Sequence, residues 1–275
     1  MRLFDKVAIV GVGLIGGSLA LAMKKKKLAR KIIGVSRHKK TLSLARKNRA
    51  IDEGTQDLSI VRDADLVILA APVKTILRLA EKIAPLVKRD CVVIDVGSTK
   101  EEIVSKLDRL FSRYVGTHPL AGSEKRGINN ADPFIFEGSL CILTPTKNTD
   151  PAAKRKTEEL WRKLGVRVVF LSGRAHDRIL SFISHLPHLA AFSLIGIAPR
   201  QYLRFAASGL KDTTRIAASD PGLWADIFLS NAGLLKAVSL FEDELRKIKS
   251  AIKSKDRSLL IKILKGAKKK RELLE

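Results

Sequence analysis

"KVAIVGVGLIGGSLALAMKKKK", residues 6–27, is the stretch from which the fold follows. Residues 7–23 carry no charge and lie between lysines, an arrangement shared with signal peptides and membrane spans. Gly11, Gly13, Gly16 and Gly17 argue against one hydrophobic helix, because each would weaken it. A strand, a tight turn and a helix accommodate all four. "GVGLIG" at 11–16 then matches the dinucleotide-binding glycine fingerprint, following a predicted strand and opening a predicted helix. Gly11 permits the turn, Gly13 lets a pyrophosphate approach the backbone, and Gly16 lets the helix pack closely. Leu14 and Ile15 begin the helix whose N-terminus faces the anion. These five residues are the candidate phosphate contacts.

About 20 residues beyond the fingerprint, an NAD-binding chain usually presents an acid to the ribose hydroxyls. Here "GVSRHKK" at 34–40 places Ser36 at that point, followed by Arg37. With no carboxylate to repel a 2′-phosphate and a guanidinium to grip one, the pattern favours NADP over NAD. Stacking of Arg37 on adenine is the alternative, and it would allow NAD.

Outward from this motif, short β-rich runs alternate with helical ones to about residue 172. The strand candidates are "KVAIV", "KIIGV", "ADLVILAA", "CVVIDV", "YVGTH", "SLCILTP" and "VRVVFL". From Gly173 onward the apolar residues recur at helical spacing with no strand-like run. The expected class is α/β: an N-terminal Rossmann-type doubly wound parallel sheet over residues 1–172, then an all-helical domain over 173–275. No internal repeat or low-complexity linker interrupts it.

The 275 residues, 45% of them hydrophobic, suffice for a large core and exclude a disordered chain. Cys91 and Cys141 sit within apolar runs, where buried free thiols are expected, and this favours a reducing compartment. No segment besides 7–23 is expected to approach spanning length, so the protein is expected to be soluble and cytoplasmic, with no membrane partner. The formal net charge of +24 raises nucleic-acid binding. The basic residues are scattered over helix faces, though, and aromatic residues, at 5%, do not interleave with them as stacking platforms would. A solvated basic surface that draws in anions is the expectation, without nucleic acid as partner.

Three further stretches converge on a substrate site. "DVGSTK" at 95–100 ends a strand with Ser98 and Lys100, "GTHPLAGSEKRG" at 116–127 leaves the next strand, and "SHLPH" at 184–188 lies in the first long helix of the second domain. A nicotinamide-bearing sheet domain and a helical domain would place a hydride acceptor beside these groups. His118 alone would otherwise be taken for a polar surface residue. His185 and His188 could ligate a metal at their spacing, but no second ligand cluster accompanies them and no metal site is expected. His176 and Asp177 suit the start of a helix.

"DVGSTK", "THPLAGSEKRG", "FEGSLCILTP", "HD" followed by "SHLPH", and "GLKDTTRIA" at 209–217 together resemble prephenate dehydrogenases and their arogenate-using relatives across essentially the whole chain. The resemblance implies an oxidative decarboxylation in tyrosine biosynthesis, from prephenate to 4-hydroxyphenylpyruvate or from arogenate to tyrosine. By the same resemblance His118 is the catalytic histidine and Ser98 the serine that bonds both hydroxyl and imidazole. Arg215 is the candidate clamp for a carboxylate of the dicarboxylate substrate, and His185 and His188 are substrate-side residues. Glu124 and Asp212 resemble acids that join the arginine in an ionic gate, and Pro187 is expected to bend the helix that aims the histidines. A homodimer through the helical domain is expected, since "GLWADIFLSNAGLLKAVSLF" has more apolar positions than a lone surface helix needs. Because the first strand begins almost at Met1, no mutase domain or regulatory tail is expected. The alternatives are a dehydrogenase of the β-hydroxyacid or imine-reducing type, which would not need "HPLAG" with "SHLPH", and a nucleotide-sensing nucleic-acid-binding protein, which would leave His118, Ser98 and Arg215 without work.

Overall fold

The apolar runs at 4–10, 29–35, 66–69, 92–95 and 114–119 become neighbouring strands of one sheet because each is too apolar to leave either face in water. The computed structural model describes residues 2–123 and 125–274. Its strands are β1 (Phe4–Val10), β2 (Ala29–Val35), β3 (Glu53–Thr55), β4 (Leu66–Leu69), β5 (Val92–Asp95), β6 (Tyr114–Pro119), β7 (Leu140–Thr144) and β8 (Arg167–Phe170). They lie in the order β3-β2-β1-β4-β5-β6-β7-β8. Alternate residues of β1 serve opposite faces. Val7 and Ile9 join the apolar cluster that includes Leu19 and Met23 of α1 (Leu14–Lys25), Leu42 of α2 (Lys39–Lys47) and Trp161 of α5 (Pro151–Lys163). Ala8 and Val10 join the cluster built on Ile76 and Ala80 of α3 (Val73–Ile83) and Ile103 and Leu107 of α4 (Glu101–Leu110). The result is a sheet with helices on both faces, the doubly wound arrangement expected.

Two features differ from the expected sheet. β3, "EGT", contains no apolar side chain and so gives no strand signal, yet it extends the parallel edge beside β2. β7 runs antiparallel to β6, with Gly116 opposite Thr144 and Pro119 opposite Cys141. Among the described residues, the segment between them, 120–139, has a short 3₁₀ turn, Ile128–Asn130, and no crossover helix to bring the chain back in the same direction. Every other pairing is parallel.

Beyond β8 the described chain is helical. α6 (Gly173–Leu180), a π-turn (Ser181–His185) and α7 (Leu186–Gly196) form one continuous run. An 18-residue window of Gly173–Gly196 has a mean hydropathy of 1.5, so this run is long and apolar enough to cross a membrane and corrects the expectation that nothing besides 7–23 approaches that length. Pro187 lies inside this run and has no N–H to give a carbonyl one turn back, and the π-turn directly before it takes up the mismatch, with the Leu186 N–H bonded to the Ser181 carbonyl. Pro187 therefore does not break the helix; the departure from α geometry is the π-turn before it. α8 (Ser208–Thr214), a 3₁₀ turn (Arg215–Ala218) and α9 (Pro221–Ser230) complete a first compact unit, Met1–Asn231. A second unit, Ala232–Glu275, is the hairpin of α10 (Gly233–Lys253) and α11 (Arg257–Arg271), whose turn is closed by Asp256 accepting from the N–H of Leu259. Leu235, Leu240, Leu245, Ile252 and Leu264 are exposed on that hairpin.

Candidate functional site

The strand order reverses between β1 and β4, and the crevice outside the carboxyl ends of those strands is where doubly wound sheets hold ligands. Gly11 ends β1 with a φ of +104°, and a Cβ there would lie 2.1 Å from the carbonyl oxygen of Ala70 at the end of β4. A Cβ on Gly16 would meet the carbonyl oxygen of Gly11 at 1.9 Å. Both positions therefore exclude any side chain for local reasons. Gly13 differs: a Cβ there meets nothing within 4 Å, which leaves open space in front of the helix. No side chain caps α1, and no acid occupies its first turn, Leu14 and Ile15 included. An open approach to uncapped N–H groups fits a bound pyrophosphate.

At the end of β2, the Ser36 N–H donates to the carbonyl of Thr55 at 3.2 Å, and the Ser36 hydroxyl oxygen accepts from the N–H of His38 at 3.2 Å. Arg37 is exposed; its Nε donates to His38 Nε2 at 3.0 Å, and its carbonyl accepts from Gln56. With Lys39 and Lys40 following, this corner presents cations and a hydroxyl.

The reaction end lies three strands along. Asp95, the last residue of β5, pairs with Gly116 of β6, so Ser98, three residues on, and His118, two residues on, lie just past a common rung of neighbouring strands. His118 is itself still in β6, opposite Ile142, and not in the loop beyond, so sheet hydrogen bonding fixes its backbone. Its Nδ1 lies 2.8 Å from Nε2 of His176, and Nδ1 of His176 lies 2.7 Å from Oδ1 of Asp177. Asp177 also accepts from the backbone N–H groups of Lys100 and Glu101 at 2.7 and 2.9 Å, at the start of α4. Beneath these groups, Lys100 and Asp95 form a fully buried ion pair, and Asp95 accepts further from Tyr114 Oη and the Gly97 N–H. Such a pair is held in place by its additional hydrogen bonds.

His185, in the π-turn, is buried, with Nδ1 2.9 Å from Nδ2 of Asn231, which also donates to the carbonyl of Asp177 at 2.8 Å. His188 lies flat on Trp224 with ring centroids 3.5 Å apart, and its Nδ1 bonds the carbonyl of Ser184. Four of the five histidines thus gather here, and burial lowers the pKa of each. His118 falls well below the usual 6.5, reinforced by the charges of His176, Lys100 and His185. His176 is lowered against the opposing hydrogen bond to Asp177, His185 is lowered to about 4, and His188 is lowered with Arg215 contributing. All four imidazoles are neutral at pH 7, which suits His118 to accept a proton.

Arg215 is exposed in the turn after α8, near enough for His188 to feel its charge. Asp212 is exposed one turn earlier and forms no ion pair with it among the described residues. Glu124 lies outside the described residues. An ion pair between Arg126 and Asp220 instead joins the 120–127 loop to the start of α9. Contrary to expectation, His176 and Asp177 do not start their helix but lie one turn inside α6, which Ser172 caps, and their link to His118 leaves no local signal in the sequence. Asn231 and Trp224 carry no sequence signal of their own, and the spacing of His185 and His188 is the usable sign of that cluster.

Residues 19–170 match the family model described as prephenate dehydrogenase, nucleotide-binding domain, and residues 172–266 match prephenate dehydrogenase, dimerization domain. The prephenate dehydrogenase of Bacillus subtilis is 37% identical, covering 98% of this chain and 76% of that protein. The cyclohexadienyl dehydrogenase of Zymomonas mobilis is 35% identical over 100% of this chain and 98% of its own. Among solved structures, prephenate dehydrogenase from Aquifex aeolicus in complex with hydroxyphenyl propionate and NAD+ has a TM-score of 0.93 at 36% identity, covering 98% of each chain.

Proposed function

This chain belongs to the prephenate dehydrogenase family, and from that premise we propose that it oxidatively decarboxylates prephenate or arogenate in tyrosine biosynthesis, using NADP in preference to NAD. The observation that carries the reading is a neutral, partly buried His118 at the carboxyl end of β6, bonded through Nδ1 to His176. The bound dinucleotide supplies the hydride acceptor. His118 accepts the proton of the 4-hydroxyl, which becomes acidic only as the adjacent carbon loses hydride. Ser98 bonds the same hydroxyl and orients it. Arg215 grips a carboxylate that is charged before the reaction begins, with His185 and His188 on the substrate side and Asp212 one turn from the arginine. Loss of carbon dioxide leaves an aromatic ring.

Ser36 and Arg37 support the preference for NADP: no acid stands at that corner, and Lys39 and Lys40 add to the positive field. A homodimer through residues 173–275 is supported by the dimerization description of the matching model and by exposed Ile183 on the α6–α7 run and Ile197 just beyond it. The enzyme is read as soluble and cytoplasmic. Prephenate and arogenate, each supplied with NADP and with NAD, test the whole reading by absorbance of the reduced nicotinamide. Reduction with at least one substrate is expected; no reduction with either would overturn it.

A further inference from the structure

We propose that His176 and Asp177 are a positioning pair that holds His118 in the single tautomer whose lone pair is on Nε2, the nitrogen turned away from the pair. The proposal rests on His118 being the proton acceptor. The direction of every hydrogen bond in the row follows from its far end. The Asp177 carboxylate accepts two backbone N–H groups, from Lys100 at 2.7 Å and Glu101 at 2.9 Å, so it meets His176 as an acceptor as well. His176 must then donate from Nδ1, across 2.7 Å. A neutral imidazole with its proton on Nδ1 has a lone pair on Nε2, and the His118 nitrogen 2.8 Å away is left to donate. With its own proton on Nδ1, His118 keeps the lone pair on Nε2.

The arrangement does two things for the reaction. Before it, the acceptor nitrogen is available in every molecule, where an unconstrained imidazole would divide between two tautomers. During it, the proton leaving the hydroxyl bonds to Nε2, the electron pair of the O–H bond stays on oxygen as hydride departs from carbon, and the new imidazolium shares its charge through Nδ1–H with His176 and Asp177. The pair is anchored at both ends. Asp177 is fixed to the start of α4 and, through its carbonyl, to Asn231, while His118 is fixed by its strand. The other titratable groups that act on His118 are Lys100 from the α4 side and His185 from the π-turn, and Cys141 of β7 bonds its backbone. Neither Lys100 nor His185 is bonded to His118 Nδ1, so neither can set its tautomer.

The test begins on the wild-type protein at neutral pH with ¹⁵N-labelled histidine, where five histidines, assigned by single substitutions, give a tractable two-bond ¹H–¹⁵N spectrum. A protonated Nδ1 and unprotonated Nε2 on both His118 and His176 are expected; a proton on His118 Nε2 would overturn the proposal whether or not the protein oxidises prephenate. His176→Leu removes the acceptor, and kcat should fall on the order of 100-fold with KM changed less than twofold. His176→Gln, whose amide oxygen can accept from Nδ1–H, should recover much of that loss. Equal kcat in wild type and His176→Leu would overturn the proposal. So would equal losses in the Leu and Gln variants with unchanged dinucleotide binding, because they would mark a packing role. If His176→Leu fails to fold, the wild-type spectrum and the His176→Gln kinetics decide.

Discussion

A proton that becomes acidic only in the transition state and a carboxylate that is charged throughout make different demands on the residues that meet them. His118→Asn should lower kcat by about 10²- to 10⁴-fold, the usual size of lost general-base assistance, with KM little changed. Arg215→Gln should chiefly raise KM, since it removes binding common to ground and transition states. Steady-state kinetics check both, and a His118→Asn enzyme with normal kcat would make the histidine a binding group. At the other end of the site, Arg37→Ala should cost NADP more catalytic efficiency than NAD, because only a 2′-phosphate uses the guanidinium's charge and fork. Equal losses would indicate stacking on adenine.

At the scale of the element, the turn between β1 and α1 separates two duties that the sequence motif merges. Gly11 is required by a positive φ and by the Ala70 carbonyl oxygen 2.1 Å from any added Cβ, whereas Gly13 borders open space. Gly13→Ala should therefore melt like wild type while binding the dinucleotide more weakly. Gly11→Ala should lose about 1–3 kcal/mol of stability as well, from strain and overpacking. Thermal melts and titration with NADP distinguish them. The same contrast shows what was legible in the sequence. Long apolar strands and the glycine turn declared themselves, since burial on two faces needs uninterrupted Val, Ile and Leu. β3, three residues without an apolar side chain, did not, and an apolar run such as "LCILT" does not reveal that it runs antiparallel. In the site, histidines stood out by type and spacing. The Asp177 link to α4 joins residues 76 and 77 positions apart, which no local pattern can report.

The molecule as a whole gathers four imidazoles that its interior keeps neutral, and this has a sign in pH. Each has a folded pKa below the unfolded 6.5, so the unfolded chain binds the extra protons first. Their stabilising contribution is complete above about pH 6.5 and is lost as pH falls toward the folded values, about 4 for His185, at up to ~1.4 kcal/mol per pH unit for each histidine. The melting temperature should be level from pH 7 to 8 and fall between pH 6.5 and 4, as scanning calorimetry would record; a level profile to pH 4 would contradict the burial. Self-association belongs to this scale too. Light scattering at micromolar concentration should report twice the 30.3 kDa chain mass. The continuous run Gly173–Gly196 carries His176, Asp177 and His185 inward and Ile179, Phe182, Ile183 and Leu194 outward on one rod. If the outward side is the proposed dimer seam, whatever loosens it moves the inward side with it, and mass action becomes a form of inactivation. Enzyme diluted to nanomolar concentration should lose specific activity over time, substrate should slow the decay, and reconcentration should restore it.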